Sequence, residues 1–136
     1  MAGYSGTPLA AKLGLKPPMT LVTLNAPPEY PSWLGKLAPG IELVSKASAP
    51  LRAVHLFATD RAALEKQLAS LRKRLDQTGF VWASWPKKAA KVPTDITEDV
   101  IRGVALPLGF VDVKVCAVSE VWSGLKLVIR KSERAL

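Results

Sequence analysis

The chain is expected to fold as an α/β protein: three layers, with a mostly parallel, twisted sheet of about six strands ending in a C-terminal antiparallel hairpin. Three observations carry this expectation. Short apolar, β-branched runs recur along the sequence with amphipathic helical segments between them. The clearest helical segment lies between two such runs, as a right-handed crossover between parallel strands requires. The last two runs are joined by a short turn without a helix, which pairs them antiparallel.

In chain order, Thr7-Pro8 opens a short helix, with threonine as N-cap and proline at the first helical position, and Gly14 closes it. Lys16-Pro17-Pro18 leads into Thr20-Leu21-Val22-Thr23-Leu24, apolar and β-branched as a buried strand requires, and Asn25-Ala26-Pro27-Pro28 ends it. A short helix is expected over residues 30–37 and, after the Pro39-Gly40 turn, a second strand over residues 41–44. Residues 51–59 form the third strand. Thr59 or Asp60 caps the long helix that follows, where Leu64, Leu68, Leu71 and Leu75 recur at the helical period and Thr78-Gly79 is the stop. Phe80-Val81-Trp82-Ala83-Ser84 is the fourth strand. A helix beginning near residues 94–97 puts Ile96, Val100, Ile101, Val104 and Leu108 on one face and ends at Pro107 and Gly109. Residues 110–118 alternate apolar and polar at Val111-Asp112-Val113-Lys114-Val115, a strand with one face partly exposed. Residues 119–124 turn the chain, and residues 125–129 return as the last strand.

A length of 136 residues favours one domain over residues 1–136, able to bury about two-thirds of its unfolded surface. With 49% hydrophobic and 22% charged residues the composition is that of a globular chain. Cys116 is the only cysteine, so no internal disulfide forms and no zinc site of cysteines and histidines can be assembled. The start of the chain has no basic stretch followed by an apolar one, and Ala2 stands where myristoylation needs glycine. The longest nearly apolar run, residues 103–111, is interrupted by Pro107 and falls short of the roughly 18 residues of a membrane span. A cytoplasmic protein without a membrane partner is the expectation.

The net charge of +8 is unevenly spread. Residues 61–91 hold eight basic side chains against Glu65 and Asp76, whereas from residue 92 onward six basic residues meet six acidic ones. Such a segment attracts anions, nucleic acid and phosphorylated metabolites among them. A solvated helix face is the simpler explanation.

Parallel strands ending in an antiparallel hairpin give a Rossmann-like sheet similar to that of class I methyltransferases. Leu13-Gly14-Leu15-Lys16-Pro17 resembles their lead-in to the cofactor strand, and Gly79-Phe80-Val81-Trp82-Ala83-Ser84 their strand after the long helix. A closer resemblance rests on Ala2-Gly3-Tyr4-Ser5-Gly6-Thr7-Pro8-Leu9, Leu24-Asn25-Ala26-Pro27, Ser84-Trp85-Pro86-Lys87-Lys88-Ala89, Thr94-Asp95-Ile96-Thr97-Glu98-Asp99-Val100, Val113-Lys114-Val115-Cys116-Ala117-Val118 and Val121-Trp122-Ser123-Gly124-Leu125-Lys126. This set is similar to the small bacterial domain-of-unknown-function family 3052. The resemblance implies a reduced, degenerate methyltransferase-like fold; it implies no activity, cofactor or site residue.

The loop after the first strand speaks against the usual cofactors. A Gly-x-Gly-x-Gly turn there lets a cofactor approach the backbone and offers it amide donors. Asn25-Ala26-Pro27-Pro28 has no glycine, and its prolines remove two donors. The second strand ends in Val44-Ser45, with no carboxylate for ribose hydroxyls. Neither S-adenosylmethionine nor a dinucleotide is therefore an expected cofactor.

A ligand site, if present, is expected at the C-terminal edge of the strands, where Asn25, Thr59, Ser84 and Ser119 should share one rim. Ser84-Trp85-Pro86-Lys87-Lys88 offers a flat aromatic and two ammonium groups to a planar anionic small molecule, with Glu120 and Trp122 in the neighbouring turn. The competing expectation is a proline-stiffened loop with its tryptophan packed down and its lysines in water. His55, alone in Val54-His55-Leu56-Phe57, reads as a satisfied core histidine, and Cys116 as a small hydrophobe. Asp95, Glu98 and Asp99 suit a helix N-terminus. No catalytic or metal-ligating residue is assigned. The sequence thus favours a non-catalytic binding or accessory module. A small transferase-like enzyme with its site at the same edge is one alternative, and a weak, non-specific nucleic-acid binder acting through residues 61–91 is another.

Overall fold

The apolar runs pair into one six-stranded sheet in the order β2-β1-β3-β4-β6-β5, seen in a computed structural model that describes residues 7–135. The strands are β1 (Met19–Leu24), β2 (Ile41–Val44), β3 (Leu51–Phe57), β4 (Leu75–Pro86), β5 (Phe110–Ala117) and β6 (Trp122–Ile129). The helices are α1 (Leu9–Lys12), α2 (Tyr30–Leu34), α3 (Arg61–Arg74) and α4 (Glu98–Ala105). Strands β1 to β4 are mutually parallel, and β6 runs antiparallel between β4 and β5. This is the expected mixed sheet, with the last strand inserted rather than appended. Residues 1–6, including Ala2 and most of the first resembling segment, lie outside the described residues.

Alternation along the strands divides the core in two. One face carries Val22, Val54, Leu56, Val81, Ala83, Leu125 and Leu127, packed beneath Leu64, Leu68 and Leu71 of α3 and Ile101 and Val104 of α4. The other carries Leu21, Ala53, Phe57 and Trp82 beneath Leu9 of α1 and Tyr30 and Leu34 of α2. Helices on both faces complete the three layers. Trp82 is fully buried, and its Nε1–H donates to the Leu13 carbonyl oxygen at 2.9 Å, which ties the end of α1 to the sheet centre.

Several boundaries differ from expectation: α2 ends at Leu34 rather than residue 37 and β3 at Phe57 rather than residue 59, and others shift for a local reason. Pro8 rather than Thr7 precedes α1, and no side chain caps that helix. Helix α3, capped by Asp60 through the amides of Ala62 and Ala63, ends at Arg74, short of Thr78-Gly79. Leu75 is drawn into the sheet opposite Leu51, and the register is restored only at Ala53 opposite Phe80. The intervening turn is held by Asp76, which accepts from the amide of Thr78 at 2.9 Å and from its hydroxyl. Gly79 is required there: a Cβ would lie 2.8 Å from the Arg52 carbonyl oxygen. Strand β6 begins at Trp122 instead of residue 125, because Trp122, Ser123 and Gly124 pair with Pro86, Trp85 and Ser84.

Candidate functional site

Because β1, β3, β4 and β5 all point the same way, the chain leaves them on one edge, and the turn into β6 closes that rim. The rim holds Asn25, Thr59, the Ser84–Lys88 segment and Ser119, as the sequence order demands. Alternation nevertheless splits the expected site. Trp85 lies on the face of Val81 and Ala83 and is 8% exposed, packed with the α3 and α4 side chains. Trp122, opposite Pro86, lies on the other face and meets Phe57 edge-on at 5.1 Å. The two tryptophans share an edge but are separated by the sheet, so they do not line one crevice.

Strand β1 connects to β2 on one side while β3 lies on the other, which makes the β1–β3 boundary the switch point where such sheets receive ligands. Here it is filled. Asn25 is exposed at φ +58, outside the cavity lining, and Pro27 and Pro28 lead into a five-residue α2 with proline in its first turn. A hollow beside it, between the ends of β1 and β2 and against Ala26, Pro27, Tyr30 and Val44, holds about 270 Å³, below the roughly 300–1,000 Å³ of small-molecule pockets. Tyr30 turns inward. Its ring meets Phe57 at 5.3 Å, and Phe57 stacks on His55 at 4.3 Å.

Beneath this cluster runs a closed polar chain. Tyr30 Oη lies 2.7 Å from His55 Nδ1, and His55 Nε2 lies 2.7 Å from Ser84 Oγ. His55 is 0% exposed and Ser84 1%. Burial drives the imidazole down to about 3 and raises the Tyr30 phenol, so the histidine is neutral at physiological pH. A neutral ring donates through one nitrogen and accepts through the other, and both hydroxyls can take either role. Serine next to histidine invites comparison with a nucleophile and its base, yet no solvent reaches either group and the chain serves the core. Ser84 therefore does not face the rim: its hydroxyl is committed to His55. Tyr30, which completes the network, carried no sequence signal beyond its place after two prolines.

A second concavity, about 560 Å³, lies on the α4 side of the rim and brings Trp85, Lys87 and Lys88 against Ile96, Thr97 and Ser123. Its walls are pinned. The Lys87 amide donates to the Val121 carbonyl oxygen at 2.7 Å. Thr94 donates its hydroxyl to the Thr59 carbonyl oxygen at 2.6 Å, and Asp95 accepts from the Arg61 amide at 2.7 Å, so the approach to α4 is fastened to the start of α3. Thr97 caps α4, accepting from the Val100 amide. Glu98 also lines the cleft, but its carboxylate is bound by Arg102, which further contacts Asp99 at 3.2 Å and Asp112 at 2.9 Å. Lys87 and Lys88 have no carboxylate partner among the described residues. The cleft thus presents one aromatic edge and two uncompensated ammonium groups. Glu120 is exposed in the β5–β6 turn, outside this lining.

The basic segment is also divided. Helix α3 starts at the rim and ends at the opposite edge, and its 14 residues span about 21 Å. Arg72, Lys73 and Arg74 are thereby separated from Lys87, Lys88 and Lys91, and no single patch joins them. Among the described residues no cluster suits a metal ion, and no helix is long and apolar enough to cross a membrane.

No protein-family model matches the chain, and no curated protein sequence matches it. Solved structures do. A Sulfolobus solfataricus protein described as a type 11 methyltransferase superposes with a TM-score of 0.64 at 13% identity, covering 94% of this chain and 93% of that one. The Methanococcus jannaschii fibrillarin pre-rRNA processing protein gives 0.57 at 11% identity, over 94% of this chain and 71% of the other. The glycopeptide N-methyltransferase MtfA, solved with sinefungin, gives 0.54 at 10% identity, over 96% and 90%. At such identities the likeness concerns the fold: the chain has a Rossmann-like, six-stranded mixed sheet similar to that of these methyltransferase structures.

Proposed function

We propose that this chain is a non-catalytic binding module on a methyltransferase-like scaffold, and that it belongs with the domain-of-unknown-function family 3052 that its segments resemble. The observation that carries this reading is the filled switch point. Pro27 and Pro28 remove amide donors from the loop, and Tyr30, His55 and Phe57 occupy the space beneath it. A transferase needs its cofactor held against its acceptor within near-attack distance, and the hollow beside Pro27 and Pro28, about 270 Å³, is smaller than ordinary small-molecule pockets.

The cleft beside Trp85 is the better receptor. Its volume suits one small ligand, and Lys87 and Lys88 select for negative charge while the indole favours a planar group. Calorimetry of the purified protein tests both halves. S-adenosylmethionine should give no heat of binding, and a saturable micromolar isotherm would overturn the non-catalytic reading. Adenosine monophosphate, as a planar anionic probe, should bind the native protein and bind Lys87→Ala/Lys88→Ala at least tenfold more weakly. Equal binding by both proteins would remove the cleft as the site.

A further inference from the structure

A cavity of about 590 Å³ opens at the edge of the sheet opposite the rim, and its existence follows from chain length. Strand β2 ends at Val44 and β3 begins at Leu51, on the far side of β1. A parallel crossover ordinarily takes a dozen or more residues and a helix. Residues 45–50 are only six, able to reach roughly 20 Å when extended. They run straight back across the sheet, with Ala47 touching the α3–α4 core. Helices α3 and α4 cover β3, β4 and β6 on this face, and β1 is left without one. The result is a trough whose floor is Val22 and Leu51, both 2% exposed, and whose walls are Pro18 and Pro50.

The polar groups of the trough lie at its mouth. Thr20, Ser48 and Arg52 line it, all exposed. Arg52 makes no ion pair within 4.0 Å. More positive charge stands at the same edge: Lys16 precedes β1, and Arg74 precedes the Leu75 that pairs with Leu51. Two carboxylates are near. Glu42 stands opposite Thr20, and Asp76, which accepts from Thr78, lies within electrostatic reach of Arg52, so three basic side chains stand against two acidic ones. The balance favours a negative head group over an apolar floor.

We propose that this trough binds a small amphipathic carboxylate, with its aliphatic or aromatic part between the exposed Pro18 and Pro50 and its head group on Arg52. The site is independent of the cleft beside Trp85: it lies at the other edge of the sheet and shares no lining residue with it. A guanidinium presents paired donors that match a carboxylate, and the exposed rings of Pro18 and Pro50 supply the apolar area that a water-exposed arginine alone does not.

The test is a titration of the ¹⁵N-labelled protein with decanoate, followed by amide chemical shifts. Saturable shifts should centre on Thr20, Val22, Ser48, Leu51 and Arg52. Arg52→Gln should weaken binding about tenfold, the scale of a charge-assisted contact. Thr20→Trp, a strand-compatible change at an exposed position, should fill the trough and abolish the shifts. Shifts centred on Lys87, Lys88 and Ser123, no saturable shifts at millimolar decanoate, or unchanged affinity in Arg52→Gln would each overturn the proposal.

Discussion

Acidification should destabilise this protein through one residue. His55 is the only histidine, so between about pH 6.5 and 5 no other side chain has an ordinary pKa that titrates. In the unfolded chain its imidazole has the ordinary value of about 6.5; in the folded protein burial lowers it to about 3. The folded state therefore binds fewer protons than the unfolded one throughout that window. The stabilisation is complete above pH 6.5 and is lost as pH falls toward 3. Each pH unit inside the window costs about 1.4 kcal/mol, so moving from neutral pH to 4.5 removes about 2.7 kcal/mol. That is a large share of the roughly 5–15 kcal/mol that holds a domain together. Urea unfolding at constant ionic strength, repeated from pH 7.5 to 4.5, measures the slope. The native protein should lose about 1.2 kcal/mol between pH 6 and 5, and His55→Gln, which keeps hydrogen-bonding groups but does not titrate there, should be flat. A flat native profile over that interval would refute the reasoning, since it would mean that His55 takes up a proton in the folded state as easily as in the unfolded one.

Two substitutions probe how the sheet is assembled. Gly79→Ala places a methyl group 2.8 Å from the Arg52 carbonyl oxygen and 3.1 Å from that of Asp76; with backbone on both sides it should cost roughly 1–3 kcal/mol in urea unfolding. Asp60→Ala removes the acceptor for the Ala62 and Ala63 amides at the start of α3, and should lower stability by about 1 kcal/mol without altering the midpoint of decanoate binding.

The fold was legible because its signals are local and repeated. The period of Leu64, Leu68 and Leu71, the Asp60 cap and the β-branched runs all survive in the structure, and strand direction then fixes which loops share an edge. What was not legible depends on parity and on contacts distant in sequence. Placing Trp85 and Trp122 on one rim needed only topology. Placing them on opposite faces needed the register of β4 against β6, which makes Trp122 the partner of Pro86. Leu75 fits the helical leucine period and was assigned to α3, yet pairing with Leu51 outweighs one further helical turn. Ser84 sits at the end of its strand like a rim residue, and only His55, 29 positions earlier, reveals that its hydroxyl points inward. The trough at the far edge was invisible for a different reason: it is produced by the absence of a helix between β2 and β3, and no residue marks it.

The side chains packed at the switch point also hold the scaffold together there. A crevice lined by apolar side chains and left empty forfeits dispersion contacts, and a ligand that fills it stabilises the folded state by mass action. Here side chains supply that filling. Tyr30, His55, Phe57 and Trp122 form a continuous series of ring contacts between 4.3 and 5.3 Å that joins α2, β3 and β6 on one face of the sheet. The buried imidazole is the cost of this arrangement, and it is tolerable only because Tyr30 and Ser84 satisfy both of its nitrogens. The same argument accounts for the brevity of α2. Five residues ending at Gly35, φ +69, suffice to seat Tyr30 and Leu34 in the core. The first crossover therefore packs Tyr30 and Leu34 against the sheet, and the two larger concavities described lie where helices are absent or stop: beside the start of α4, and beneath the six-residue crossover.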